Sequence, residues 1–371
     1  MKKKLMRMPK VVTILVAVLI VAIFLGSMDV AAFFLGRTVS LPGYGNSMIA
    51  EFVAGVVAFL FLCLFGYVRV LGEKGKGFIH GLYIGGFLTG YCCLELAAQL
   101  YVQMMTPDAE VVSALEILFF IATMFLIGWT EELIFRGVIL NLFLERFSKT
   151  KRGILWAVIL NGVLFGAVHL TNISQGVTMT SAMIQAINGA FLGVIFAAVY
   201  VRSGNIWLVI MFHALVDFAS LMGSGIFGIG TTVEQINQMS AVNLIAVPVL
   251  LIPSIVLLRP RKLLELEQEA NHIVVFETYE EADRNAVFSL ALGMISILTG
   301  FMGYGLGIGI AGLIGGKLSR NVQPEKNGMA LAGMILSGIG MAVSVIGMIV
   351  LCFVYSNLNG LSAVMMTNGV K

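Results

Sequence analysis

Long apolar runs recur eight times in the first 258 residues, near 11–36, 48–71, 77–104, 111–143, 154–172, 179–201, 205–226 and 239–258. Roughly 20 apolar residues are enough to cross the ~30 Å hydrocarbon core of a bilayer as a helix. Inside a bilayer the backbone has no water to bond, so each run must satisfy its own N–H and C=O groups. The pattern therefore predicts an all-α polytopic membrane protein in which residues 1–258 form an eight-helix transmembrane bundle. With 59% hydrophobic and only 12% charged residues, the chain is far from a soluble enzyme. A net charge of +3 gives no reason to expect a nucleic-acid partner; the lipid bilayer is the expected one. The 42 glycines fit close helix packing.

Basic residues between the runs set the orientation. Lys2, Lys3, Lys4, Arg7 and Lys10 precede the first run. Lys74 and Lys76 follow the second, and Arg146, Lys149, Lys151 and Arg152 follow the fourth. Arg202 follows the sixth, and Arg259, Arg261 and Lys262 follow the eighth. The alternate loops are nearly free of Lys and Arg, so the N-terminus is expected in the cytoplasm of a multi-pass cell-membrane protein. The first run is long and lacks a small-residue cleavage site, which predicts a retained span rather than a signal peptide. Cys63, Cys92, Cys93 and Cys352 all lie in apolar runs without a CxxC pattern, so they read as buried thiols.

Residues 259–285 break the pattern and hold seven of the 20 acidic residues, the composition of a polar, partly helical cytoplasmic linker. Beyond it, residues 286–371 form a Gly-rich accessory module of two or three transmembrane helices. If the basic loop with Lys317, Arg320 and Lys326 is cytoplasmic, the stretch 286–316 is a hairpin of two short spans, followed by a last run at 328–355.

Ionisable residues inside the spans are the informative ones, because charge at depth is costly and usually faces a cavity or a partner. Three clusters stand out: Glu131, Glu132 and Arg136 in "LIGWTEELIFRG", His169 in "NGVLFGAVHL", and His213 with Asp217 in "MFHALVDFAS". Counting along each helix from Glu145, Arg152 and Arg202 puts Glu131 ~21 Å, His169 ~25 Å and His213 ~16 Å from the cytoplasmic ends. All three depths fall near the middle of the bilayer, so one pocket can hold them. Glu132 and Arg136 are four apart and can pair, which reads first as a structural pair. Glu131 is turned about 100° away and is free to face another helix. His213 and Asp217 share a face, and Asn161, Phe165 and His169 form an i, i+4, i+8 stripe. Glu51, Glu95 and Asp29 have no patterned partner and read as packing or cavity-lining residues; His80 and His272 read as outside the site.

Amide hydrolysis needs an activated water and donors for the oxyanion. A carboxylate held away from water keeps a proton more readily, which suits a general base. A histidine can position the water or bind a metal that acidifies it. Glu131, His169 and His213 are the available ligands if zinc is used; no HExxH spacing is present, and water activated by Glu131 without a cofactor is the simpler reading. Intramembrane Glu, His and Asp also suit a proton- or ion-coupled transporter, and a non-catalytic scaffold or immunity protein is a third possibility.

Three of these segments resemble the motifs of the CAAX-protease and bacteriocin-processing family of intramembrane proteases. "EELIFR" at 131–136 is similar to its EExxxR motif and "FGAVH" at 165–169 to its FxxxH motif. "HALVD" at 213–217 is similar to its third motif, a His followed four residues on by Asn or a similar polar residue. The resemblance covers roughly residues 80–225. It implies an eight-helix bundle around a cavity open to the cytoplasm, and an endopeptidase acting on a peptide or protein substrate. It implies that Glu131 and His169 activate the attacking water, that His213 and Asp217 stabilise the oxyanion, and that Glu132 and Arg136 support the motif. Asp217 departs from the Asn of the prenyl-peptide proteases. An ionised Asp cannot donate to an oxyanion, so it is either protonated or orients a partner. Residues 286–355 resemble a small Gly-rich bacterial membrane domain of unknown function.

Overall fold

The computed structural model describes residues 9–38, 40–106, 109–147, 150–273, 279–300, 305–322 and 328–347. Lys2, Lys3, Lys4, Arg7, Lys149, Lys326, Cys352 and the end of the last apolar run lie outside the described residues. Two compact units divide between Val275 and Phe276.

Among its described residues, the regular elements of the first unit are all helical. Its helices are α1 (Lys10–Thr38), α2 (Gly45–Phe65), α3 (Phe78–Ile84), α4 (Gly86–Met104), α5 (Ala114–Glu132), α6 (Asn141–Phe147), α7 (Lys151–Val168), α8 (Met179–Ser203), α9 (Ile206–Ser220), α10 (Met222–Ile226), α11 (Thr232–Asn237), α12 (Ala246–Leu257) and α13 (Pro260–Ile273). A π-helical segment, Leu133–Leu140, joins α5 to α6, so that Ala114–Phe147 runs as one 34-residue span. Six helices of the described residues are long and apolar enough to cross a membrane, and up to eight if each bent pair is one span. One such pair is α3 with α4, bent by 83° at Gly85. The chain is thus an all-α, multi-pass membrane protein. Large side chains such as Leu15, Leu19, Phe34 and Leu118 stay exposed on the bundle, as expected of surfaces that meet lipid rather than water.

The site-bearing helices start where the local chemistry dictates. Ser113 accepts from the Glu116 N–H, and Glu116 answers in a capping box that opens α5. Thr150, Thr178 and Asn205 cap α7, α8 and α9 in the same manner, each accepting an N–H that the first turn cannot satisfy. α8 forms the axis of the bundle, with Ile195–Ser203 buried without a break.

Glycine sets how closely α8 and α9 approach their neighbours. A Cβ at Gly162 on α7 would sit 2.7 Å from the Ala190 carbonyl oxygen of α8, and one at Gly193 2.9 Å from the Gly162 Cα. On the other side, a Cβ at Gly128 of α5 would lie 2.8 Å from the Ile210 oxygen and 3.0 Å from the Ala214 nitrogen of α9. Backbones therefore touch within a turn of each motif, which small residues alone permit.

The polar segment after residue 258 opens as α13. Leu263 and Leu266 are buried in the core of the first unit, Arg202 at the end of α8 reaches Glu265 at 3.3 Å, and Lys262 bonds the same carboxylate at 2.9 Å. Cys63 and Cys92 are buried as expected, but Cys93 is exposed. One residue further along α4 it faces outward, where an apolar thiol needs no burial against protein.

In the second unit the Gly-rich stretch forms two helices, α14 (Tyr279–Gly300) and α15 (Gly305–Val322), followed by α16 (Gly328–Gly347). Ser289 donates to the Gly312 oxygen and Ser296 to the Gly305 oxygen, each at 2.6 Å. A Cβ at Gly293 would lie 2.7 Å from the Gly333 oxygen. Glycines and serines thus bring all three helices into backbone contact.

Candidate active site

The π-helical segment carries Arg136 and shapes the site. A π turn lengthens the hydrogen-bonded loop and leaves carbonyls that need other donors. Two asparagines supply them. Asn161 of α7 donates to the Phe135 oxygen at 2.7 Å, and Asn141 donates to the Arg136 and Gly137 oxygens at 3.0 and 2.9 Å. Asn161 is therefore placed against the motif helix, with its side chain engaged by backbone. Asn141 escaped the sequence reading because nothing in "ILNLF" shows that the turn before it is irregular.

Arg136 is fully buried, and both terminal nitrogens of its guanidinium are engaged. Its Nη1 donates to Glu132 Oε1 at 2.6 Å and its Nη2 to the Gly193 oxygen at 2.9 Å. Its guanidinium lies 4.5 Å from the Phe165 ring centroid and 5.3 Å from that of Phe196, an arrangement that favours a planar cation. The expected Glu132–Arg136 pair thus exists, but Glu132 has a second partner. His213 Nδ1 sits 2.8 Å from the same Oε1. Because that carboxylate already accepts from Arg136, Nδ1 donates to it, and the ring's other nitrogen, Nε2, is turned into the site.

Nε2 lies 3.4 Å from Asp217 Oδ2 and 3.9 Å from Glu131 Oε2. The two adjacent glutamates therefore address opposite edges of one imidazole. Glu131 and Asp217 keep some exposure, with side chains 18% and 25% accessible, whereas Glu132 has none. The pair open to an incoming molecule is Glu131 and Asp217.

His169 stands where α7 tightens into a 3₁₀ turn. Its ring meets Phe165 edge-on at 5.6 Å, and His213 meets the same Phe165 ring at 5.5 Å. One phenyl ring thus contacts both imidazoles. A Cβ at Gly189 would fall 2.9 Å from His169 Nε2, so only glycine leaves that ring its place. His169 is within electrostatic reach of His213 and Asp217.

Sequence reasoning left out one member. Glu51 of α2 is buried and within electrostatic reach of Glu131, Asp217 and His213. The signal was visible, a charge in the run "NSMIAEFVAG", but no spacing rule tied it to α5 or α9. The other unpatterned residues fall outside: Asp29 and His80 are exposed, and Glu95 is half-buried beside Gln99 of its own helix. Among the described residues, no three His, Cys, Asp or Glu side chains are grouped to hold a metal ion, so Glu131, His169 and His213 do not fit a zinc centre. A separate apolar cavity of about 510 Å³ opens at the α3–α4 bend, between Leu88, Ile195, Val199 and Pro253, and no site residue lines it.

Residues 113–219 match the family described as type II CAAX prenyl endopeptidase, Rce1-like. Over this segment the chain is similar to the CAAX protease family. The matched stretch runs from the cap of α5 to the last turn of α9 and contains Glu131, Glu132, Arg136, His169, His213 and Asp217. Glu51 lies before it. No curated protein and no solved structure matches the chain. The similarity is to a family of prenyl-protein endopeptidases and is confined to the segment that carries the three motifs.

Proposed function

We propose that the protein is an intramembrane endopeptidase that hydrolyses a peptide bond with water activated by Glu131 and His169. The observation that carries this reading is the fixed imidazole of His213, held through Nδ1 by Glu132 with Nε2 beside Glu131 and Asp217. Glu131 takes a proton from the attacking water as its oxygen bonds to the scissile carbonyl carbon. His169 positions that water. The developing oxyanion is met by the Nε2–H of His213, and Asp217 serves as acceptor that orients the ring. This gives the aspartate a role that does not require it to donate. As the C–N bond breaks, Glu131 returns its proton to the leaving amine. Acid–base help of this kind contributes ~10²–10⁴-fold, and a preorganised oxyanion donor adds a comparable factor.

The charge alternation of the loops supports a cytoplasmic N-terminus, with a substrate entering from the cytoplasmic side or the bilayer. A test compares the proteomes of cells expressing wild type or Glu131→Gln, followed by cleavage of the accumulated precursors with purified protein. Glu131→Gln and His169→Ala are expected to lower turnover by ~10²-fold or more while leaving the melting temperature nearly unchanged. Undiminished cleavage by either variant, or proton flux in proteoliposomes that Glu131→Gln abolishes, would overturn the assignment.

A further inference from the structure

Glu51 belongs to a helix that supplies none of the motif residues, yet its position is fixed against them. Thr130, the residue before Glu131, donates to the Glu51 backbone oxygen at 3.3 Å. One turn on, a Cβ at Gly55 would stand 3.2 Å from Thr130 Oγ1 and 3.3 Å from Trp129 Cδ1. The α2 backbone is therefore pressed onto α5 at the site. Glu51 is 7% exposed, and its Oε2 is buried with no hydrogen-bond partner. Its electrostatic neighbours are Glu131, Asp217 and His213.

The charges around it do not balance. Arg136 is taken by Glu132 and Gly193, and His213 is bonded to Glu132. Among the described residues, no Lys or Arg pairs with Glu51, Glu131 or Asp217. A carboxylate out of water without a partner is costly, and a cation placed against it removes that cost. Among the described residues, no three His, Cys, Asp or Glu side chains are grouped to hold a metal ion in that role. On the endopeptidase reading, the substrate is the source of such a cation.

Resting on the endopeptidase reading, we propose that Glu51 is a specificity-determining residue that selects substrates with a lysine or arginine side chain next to the scissile bond. The cationic head pairs with Glu51 Oε2, with the more exposed Asp217 at the rim of the same pocket. A bound charge-assisted pair discriminates steeply, because a neutral analogue leaves the buried carboxylate unsatisfied.

The experiment uses the full chain in proteoliposomes with a mixed-sequence peptide library, and cleavage sites are read by mass spectrometry. Wild type is expected to enrich Lys and Arg beside the cut by ~10-fold or more over neutral residues of similar length such as norleucine. In Glu51→Gln the ratio of cleavage beside Lys or Arg to cleavage beside norleucine should collapse towards one. Wild-type cleavage without a basic preference overturns the proposal, as does an unchanged preference in Glu51→Gln. The wild-type ratio needs no variant, so poor folding of Glu51→Gln leaves the test intact. The two readings fail differently. Absence of any cleavage by wild type removes the endopeptidase assignment itself, whereas cleavage at neutral sites removes only the role of Glu51.

Discussion

Glu132 and His213 meet across two helices: Oε1 of the glutamate lies 2.8 Å from Nδ1 of the imidazole, and Arg136 donates to the same oxygen at 2.6 Å. Removing the carboxylate strands a buried guanidinium and frees the ring. Glu132→Ala is expected to lose ~3–5 kcal/mol of stability, the usual result of breaking a buried pair from one side. Glu132→Gln should lose less but still misorient His213. Thermal unfolding in detergent, paired with turnover, reads both effects. A double-mutant cycle of Glu132→Gln with His213→Gln should show a coupling of ~0.5–3 kcal/mol, as neighbours in one network do.

Asn161 serves the π segment rather than the reaction. Its Nδ2 satisfies the Phe135 oxygen at 2.7 Å. Asn161→Leu should cost ~1–3 kcal/mol, the price of a buried acceptor left unmet. Asn161→Asp should fare no better, because a carboxylate cannot donate. If the melting temperature of both variants equals that of wild type, the π segment is held by something else.

Helix spacing at Gly128 sets the distance between the two glutamates and His213. A methyl there would meet the Ile210 oxygen at 2.8 Å. Gly128→Val is expected to push α5 from α9, costing ~1–3 kcal/mol or more and lowering turnover further than stability alone explains. Gly90 on α4 has nothing within 4 Å of an added Cβ, so Gly90→Ala should be close to neutral. The contrast between the two variants is the measurement.

At the far end of α8, the Lys262 ammonium and then Arg202 hold the Glu265 carboxyl below its usual value of 4.5. A lowered value means that the contribution is present above the ordinary glutamate range and is lost as pH falls through the folded-state value. Docking of α13 should therefore loosen on acidification. The effect is modest because the pair is partly exposed. Hydrogen exchange of residues 260–273 at pH 7 and pH 4, corrected for intrinsic rates, should show it, and Glu265→Gln should remove the difference.

Much of the site was legible in the sequence because helices are periodic. Glu132–Arg136 and His213–Asp217 are both four apart, and both pairs face each other at 2.6 Å and 3.4 Å. The runs that became α1, α2, α5, α7 and α8 were long enough to span a bilayer on composition alone. Periodicity assigns each residue an angle on its own helix and a depth in the membrane.

It does not say which helix stands opposite. That Glu132 reaches past Arg136 to His213, and that Glu51 joins Glu131 from α2, depend on backbone approaches at Gly128 and Gly55. The π segment was likewise beyond periodicity, since its carbonyls are satisfied by Asn161 from another helix. Residue types, spans and same-helix pairs follow from local covalent geometry and the solvent. Partners across helices follow from packing, where a few glycines decide which polar side chains share one buried space.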